Sequence, residues 1–249
     1  MQLDDVAVRF DVPMEEIASF KEYAIRRLRR RLRYREVWAL RGVQLSVAQA
    51  EAVGVVGRNG AGKSTLLRVL GRVLRPTSGR VRVRGSVASL IEVAAGFHPE
   101  LSGRENVFLN GTLLGRSTSD IRRRFDDIVD FAEIGQFIDA PIRTFSTGMT
   151  LRLGFAVATA WNADVLLVDE VLAVGDESFR RKCAQRIAAL RERNGTTIIL
   201  VSHDLTMIRS MCDRALWLDG GGVRMDGSAQ QVTAAYHAHS DEQQRLTLP

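Results

Sequence analysis

The stretch on which the reading of this chain turns is VGVVGRNGAGKSTLL, Val53 to Leu67. Within it GRNGAGKST, Gly57 to Thr65, has the spacing GxxxxGKS/T. An apolar strand-like run, Val53 to Val56, leads in. A helical pattern from Ser64 to Leu74 leads out and is stopped by Pro76, Ser78 and Gly79. A strand that passes through glycines into a helix offers successive backbone N–H groups and a helix N-terminus to phosphate oxygens. Gly57, Asn59, Gly60, Ala61, Gly62 and Thr65 are expected to form that cradle. Lys63 is expected to reach the β- and γ-phosphates of a nucleotide, and Ser64 to hold Mg2+.

Two downstream segments complete this chemistry. VLLVDE, Val165 to Glu170, is a buried strand with two carboxylates at its C-terminal end, the end at which open α/β sheets bind ligands. Asp169 suits the magnesium shell, and Glu170 suits polarisation of an attacking water. His203 follows a second such strand in IILVSHD, where an imidazole could meet the γ-phosphate and hold the water and Glu170 in register.

Around these segments, strands are expected over Val6–Phe10, Val37–Val47 (bent at Gly42), Val81–Val83, Val87–Ile91 and Thr196–Val201. Helices are expected over Ser178–Arg193 and Leu205–Cys212, and a final hairpin begins at Ala215–Leu218 around the glycines at 220 to 222. Ser102–Ala160 reads as mostly helical, with breaks near Gly115, Gly135 and Pro141. The alternation of strands and helices argues for a mainly parallel α/β core interrupted by a helical insertion. Residues 237–249 read as a frayed polar tail.

The chain has 249 residues, enough for a sizeable core. No apolar run reaches the 18 residues of a spanning helix, and MQLDDVAVRFDV lacks the layout of a signal peptide, so a soluble, cytoplasmic chain is expected. Cys183 and Cys212 have no metal or redox spacing and read as reduced thiols. The net charge of +6 favours anionic partners without choosing among ATP, phospholipid and nucleic acid.

Taken together, these residues resemble the nucleotide-binding domain of ABC transporters over essentially the whole chain. The resemblance implies a P-loop NTPase of ABC type, with a RecA-like core, an antiparallel β subdomain and a helical subdomain. Residues 1–93 and 161–236 would form the core with its β subdomain, and 94–160 the helical subdomain. FSTGM, Phe145 to Met149, stands where the family carries its LSGGQ signature. Ser146, Thr147, Gly148 and Met149 are thereby implied to clamp ATP bound by a second copy in a head-to-tail homodimer. Tyr34, 29 residues before Lys63, is implied to stack on adenine. Asp176 in AVGD falls at the subunit-crossing D-loop. The Q-loop position, where the family has glutamine, falls on Glu92 or Val93, and Glu92 is the better candidate as a carboxylate able to reach Mg2+ or water. FSTGM, VWALRGV and AAGFHPELSGRENVFLNG further resemble ATP-binding subunits that export O-antigen, teichoic acid and related polysaccharides, here in the short form without a C-terminal glycan-binding sandwich.

That resemblance bears on KEYAIRRLRRRLRYR, Lys21 to Arg35, with eight basic residues in fifteen. Met14–Leu32 reads as a helix, and residues 14–33 as a basic amphipathic one with an apolar stripe of Ile17, Phe20, Ala24, Leu28 and Leu32. Such a helix suits an anionic membrane surface or a transmembrane partner. A plain solvated face is the alternative, and no nucleic acid is expected, since the zinc-finger and aromatic-basic patterns are missing. The expectation is an ATPase that works with two copies of a permease subunit, peripheral on the cytoplasmic face of the membrane. The rivals are an ABC ATPase for another cargo, such as lipid or drug, and a soluble one acting on ribosomes or DNA.

Overall fold

The structure, a computed structural model, describes residues 1–14, 34–91, 96–169 and 176–247. The basic helix read at Met14–Leu32 lies outside these residues from position 15 onward. Glu92, Val93 and Glu170 lie outside them as well.

Two sheets carry the fold. Strands β1 (Gln2–Pro13), β2 (Tyr34–Ser46) and β4 (Ser78–Arg82) form an antiparallel sheet in the order β2-β1-β4. The second sheet has β3 (Ala52–Val56), β5 (Val87–Ser89), β6 (Val165–Asp169), β7 (Thr197–Val201), β8 (Arg214–Asp219) and β9 (Gly222–Ser228), in the order β5-β6-β7-β3-β8-β9. Its strands are parallel except β9, which returns antiparallel to β8. β3 and β7 are buried at every residue. That is why AVGVV and TIILV are continuous apolar runs: a parallel strand covered on both faces has no solvent side to alternate toward.

Helix α1 (Lys63–Leu70) follows β3. It stops short of the expected Leu74 because Arg72 adopts φ +61°. The Arg72 N–H returns to the Val69 carbonyl, and the Val73 N–H to that of Arg68. This is a Schellman closure with arginine where glycine usually stands, and the glycine of this stretch, Gly71, lies one position earlier with a helical φ of −72°. Helices α2 (Gly103–Leu113), α3 (Thr118–Ala132) and α4 (Thr147–Ala158) close on a core of their own, with Val107, Ile121, Phe125, Ile128 and Leu153 inside. α2 opens with a capping box between Ser102 and Glu105.

Helices α5 (Glu177–Asn194) and α6 (Leu205–Met211) pack with β3, β6, β7 and β8 in one apolar cluster that contains Phe179, Ile187 and Ile208. The last helix, α7 (Ala229–Thr247), corrects the expected frayed tail. Its stripe is sparse and easily missed: Ala229 and Val232 are fully buried, and Tyr236 and His239 lie edge-on and tilted against Trp217 of β8. Arg224 stacks over the same indole, 4.3 Å from its centroid.

Candidate functional site

The loop from β3 to α1 depends on glycine at two points. Gly62 has φ +103°, and a Cβ there would lie 2.4 Å from the Ala39 carbonyl oxygen of β2. A Cβ on Gly57 would lie 2.4 Å from the Leu218 carbonyl oxygen of β8. Glycine therefore lets the loop lie against both sheets. Gly62 is also the N-cap of α1, where no side chain caps the helix and no acid occupies the first turn. An N-terminus with this polarity suits an anion.

Lys63 is only 6% exposed. Its ammonium donates to the carbonyls of Gly57 at 2.8 Å and Arg58 at 3.2 Å, which holds its charge across the loop. A buried cation, a glycine-lined cradle and an uncapped helix start together fit a polyphosphate. Ser64 is exposed beside them, and Asn59 and Gly60 form the open rim. Ala61 is buried, and Thr65 half-buried.

Parallel pairing brings the other candidates to the same edge. Asp169 ends β6 opposite Val201 of β7, and Val201 lies opposite Val55 of β3. The carboxylate, the start of the glycine loop and His203 thus all leave the sheet at its carboxyl edge. Among the described residues no three His, Cys, Asp or Glu side chains gather as a metal cluster. A magnesium ion held by one hydroxyl, one carboxylate and phosphate oxygens would need no such cluster, and Ser64 and Asp169 have the chemistry of that donor set. His203 is exposed just before α6, whose start is fixed by Asp204. The Asp204 carboxylate accepts from the Thr206 and Met207 N–H groups at 2.8 and 3.2 Å. A groove of about 650 Å³ between α5 and α6 runs past His203, Arg180 and Met207.

The signature-like turn stands on the other core. Ser146 is the N-cap of α4 and accepts from the Met149 N–H at 3.2 Å. Ser146 and Thr147 are exposed, and a methyl added at Gly148 would meet only the Ser146 hydroxyl, at 3.8 Å. Asp176 is the N-cap of α5 and accepts from the Phe179 N–H at 2.8 Å. That hydrogen bond, with help from Ser178 and Arg152, holds its carboxyl below the usual range.

Tyr34 opens β2 opposite Pro13, five residues before Ala39. Along a strand that is about 16 Å from the residue that touches the loop. The aromatic next to that contact is Trp38, half-buried, with the Arg9 guanidinium 5.8 Å from its ring. Sequence reasoning does not single out Trp38, although its place in VWAL, directly before Ala39, is an available signal. Nor does it single out Arg152, six residues after Ser146 on α4, whose importance shows only in its partners.

The chain as a whole is similar to proteins already known. A family model described as ABC transporter matches residues 40–173. The O-antigen export system ATP-binding protein RfbB of Myxococcus xanthus is 45% identical over 224 residues, covering 89% of this chain and 51% of its own length. The chain thus spans about half of that relative. A protein of the same name from Klebsiella pneumoniae is 45% identical over 205 residues, covering 82% of this chain and 83% of its own length. Among solved structures, the ATP-binding cassette MJ0796 in a dimeric, post-hydrolysis state bound to ADP and Pi aligns with a TM-score of 0.74 at 23% identity, covering 92% of this chain and 98% of its own. At that identity the alignment speaks to the fold.

Proposed function

This chain belongs to the ABC transporter family, and from that premise we propose that it is the ATP-hydrolysing subunit of an exporter of a lipid-linked polysaccharide, such as O-antigen or teichoic acid. The observation that carries the ATPase part is the glycine cradle around buried Lys63 at the carboxyl edge of the parallel sheet. The names of its relatives support the cargo: two are O-antigen export proteins, and a third, 41% identical, is the teichoic acids export protein TagH of Lactococcus lactis.

In this reading the loop amides and Lys63 bind the phosphates. Ser64 and Asp169, with Glu92 as the Q-loop candidate, would hold Mg2+, which when bound would supply neutralisation of phosphate charge. Glu170 polarises the attacking water, and His203 orients it. An aromatic, Tyr34 or the better-placed Trp38, receives adenine. Ser146, Thr147, Gly148 and Met149 present hydroxyl and N–H groups at a helix start to the ATP of a second copy, and Asp176 lies at the crossing between copies. Closure of this homodimer would move two attached permease subunits. Leu109 and Leu113, four residues apart on α2 and 37% and 70% exposed, form with Leu114 an apolar patch suited to such a partner. No helix among the described residues is long and apolar enough to cross a membrane. The proposed location is peripheral, at the cytoplasmic face.

The test is reconstitution of the chain with a membrane subunit that co-purifies with it, in proteoliposomes loaded with lipid-linked glycan. ATP-dependent glycan transport that Glu170→Gln abolishes supports the reading. Glycan-independent hydrolysis with no movement of glycan contradicts the proposed cargo.

A further inference from the structure

The seam between the two cores is closed by a side-chain network in which Asp176 alone has an assigned role, while Glu133, Arg152 and Lys182 have none. Arg152, on α4, has a side chain only 18% exposed. Its Nη1 donates to Glu133 Oε2 at 2.9 Å, and its Nη2 to Asp176 Oδ2 at 2.8 Å. Glu133 is the left-handed C-cap residue of α3, and Asp176 the N-cap of α5. Lys182, on α5, donates to the other Glu133 oxygen at 2.8 Å and to the Phe131 carbonyl at 3.0 Å. Beneath the charges lie three rings. Phe131 stacks on Phe155 at 5.7 Å, and both meet Phe179 edge-on. Arg152 covers Phe179 at 4.7 Å, and Lys182 covers Phe131 at 4.8 Å.

The geometry singles out Arg152. One planar guanidinium serves two carboxylates on two different elements, which an ammonium of one point charge cannot copy. It stands on the helix that begins at Ser146, fewer than two turns away. Its second partner, Asp176, spends its other oxygen on the first turn of α5. A shift of α4 is therefore transmitted to the start of α5 through one ion.

We propose that Arg152 is a positioning residue that locks Asp176 to the signature-bearing helix, so that both segments reach the shared sites of a dimer as one unit. The proposal rests on the functional reading above for what those segments do. Surface ion pairs are worth little, but this one is partly covered, hydrogen-bonded on both sides and stacked on a ring.

The experiment uses the full chain and reads hydrolysis, nucleotide binding and urea unfolding in parallel. Arg152→Gln should lower kcat about tenfold with KM and nucleotide binding within about twofold, because misplacement affects the closed state and leaves the cradle intact. Arg152→Lys should fall between, since its ammonium keeps the charge but lacks the planar fork that aims one N–H at each carboxylate. Arg152→Gln combined with Asp176→Asn should be no slower, and no easier to unfold, than the worse single variant. A kcat for Arg152→Gln within twofold of wild type, a loss confined to KM, or losses that multiply in the double variant would each overturn the proposal. Glu170→Gln in the same assay separates the two levels. If it is fully active while Arg152→Gln is slow, the assigned hydrolytic residue fails and the lock stands. If it is inactive while Arg152→Gln is normal, the lock fails alone. Normal turnover in both sinks both.

Discussion

Gly62 must be glycine twice over, by its left-handed φ of +103° and by the Ala39 carbonyl 2.4 Å from any added Cβ. The obstacle is backbone, which cannot swing aside as a flexible side chain can. Gly62→Ala should therefore push the loop off β2 and weaken nucleotide binding at least about tenfold, a loss of about 1.4 kcal/mol. Titration with a fluorescent ATP analogue checks this, and unchanged affinity would mean that the loop does not shape the site. Among the other side chains, burial pushes the Cys183 and Cys212 thiols up to about 12. Only the thiolate reacts, so iodoacetamide at pH 8 should leave both untouched in the folded chain and modify both in urea. Mass spectrometry would show the count. These single-residue features divide cleanly by legibility. GxxxxGKS/T announces the need for glycine, because the spacing and the strand and helix around it are all written in sequence. The placement of Trp38 beside the loop is not written there, because it depends on how β2 lies across Gly62.

Among the helices and strands, the segment before α2 is gathered around the side chain of Asn106. Asn106 is fully buried, accepts from the His98 N–H at 2.7 Å, and donates to the carbonyls of His98, Leu101 and Ser102 at 3.0, 3.1 and 2.9 Å. Asn106→Leu keeps the branched shape but takes the acceptor from the His98 N–H, while the three carbonyls retain backbone donors from Leu101, Ile142 and residue 106. It should cost about 2 kcal/mol, read as a lower urea midpoint; a midpoint equal to wild type would show that water replaces the amide at no cost. The parallel strands are legible because full burial leaves unbroken apolar runs. The end of α1 and the existence of α7 are not. One is closed by an arginine in a conformation usually left to glycine, and the other is held by a few apolar residues that find Trp217 only after β8 and β9 have paired.

Across the chain as a body, two cores carry complementary halves of the proposed chemistry. The cradle, Asp169 and His203 stand on the large sheet, and the Ser146 turn stands on the helical core. The basic segment adds the proposed membrane contact. Replacing Arg26, Arg27, Arg30 and Arg31 by glutamine should weaken binding to anionic nanodiscs, since each arginine near such a surface contributes on the order of 1 kcal/mol. Nucleotide binding should stay unchanged. A loss seen only with duplex DNA, steep in salt, would favour the nucleic-acid rival. The element order and the family are legible in the sequence. The seam clamp is not, because Glu133, Arg152, Asp176 and Lys182 meet only through tertiary packing.

Above all, each hydrolytic site is proposed to be built from two copies. Lys63→Ala removes the phosphate cation, and Ser146→Arg blocks the opposing clamp, so each variant alone should be inactive. In a mixed dimer both defects fall on one site and leave the other complete. An equimolar mixture of the two inactive variants should therefore recover ATP hydrolysis, to roughly a quarter of the wild-type rate if copies pair at random and sites act independently. A mixture as inactive as its components, under conditions where mass spectrometry shows mixed dimers, would contradict a site shared between copies.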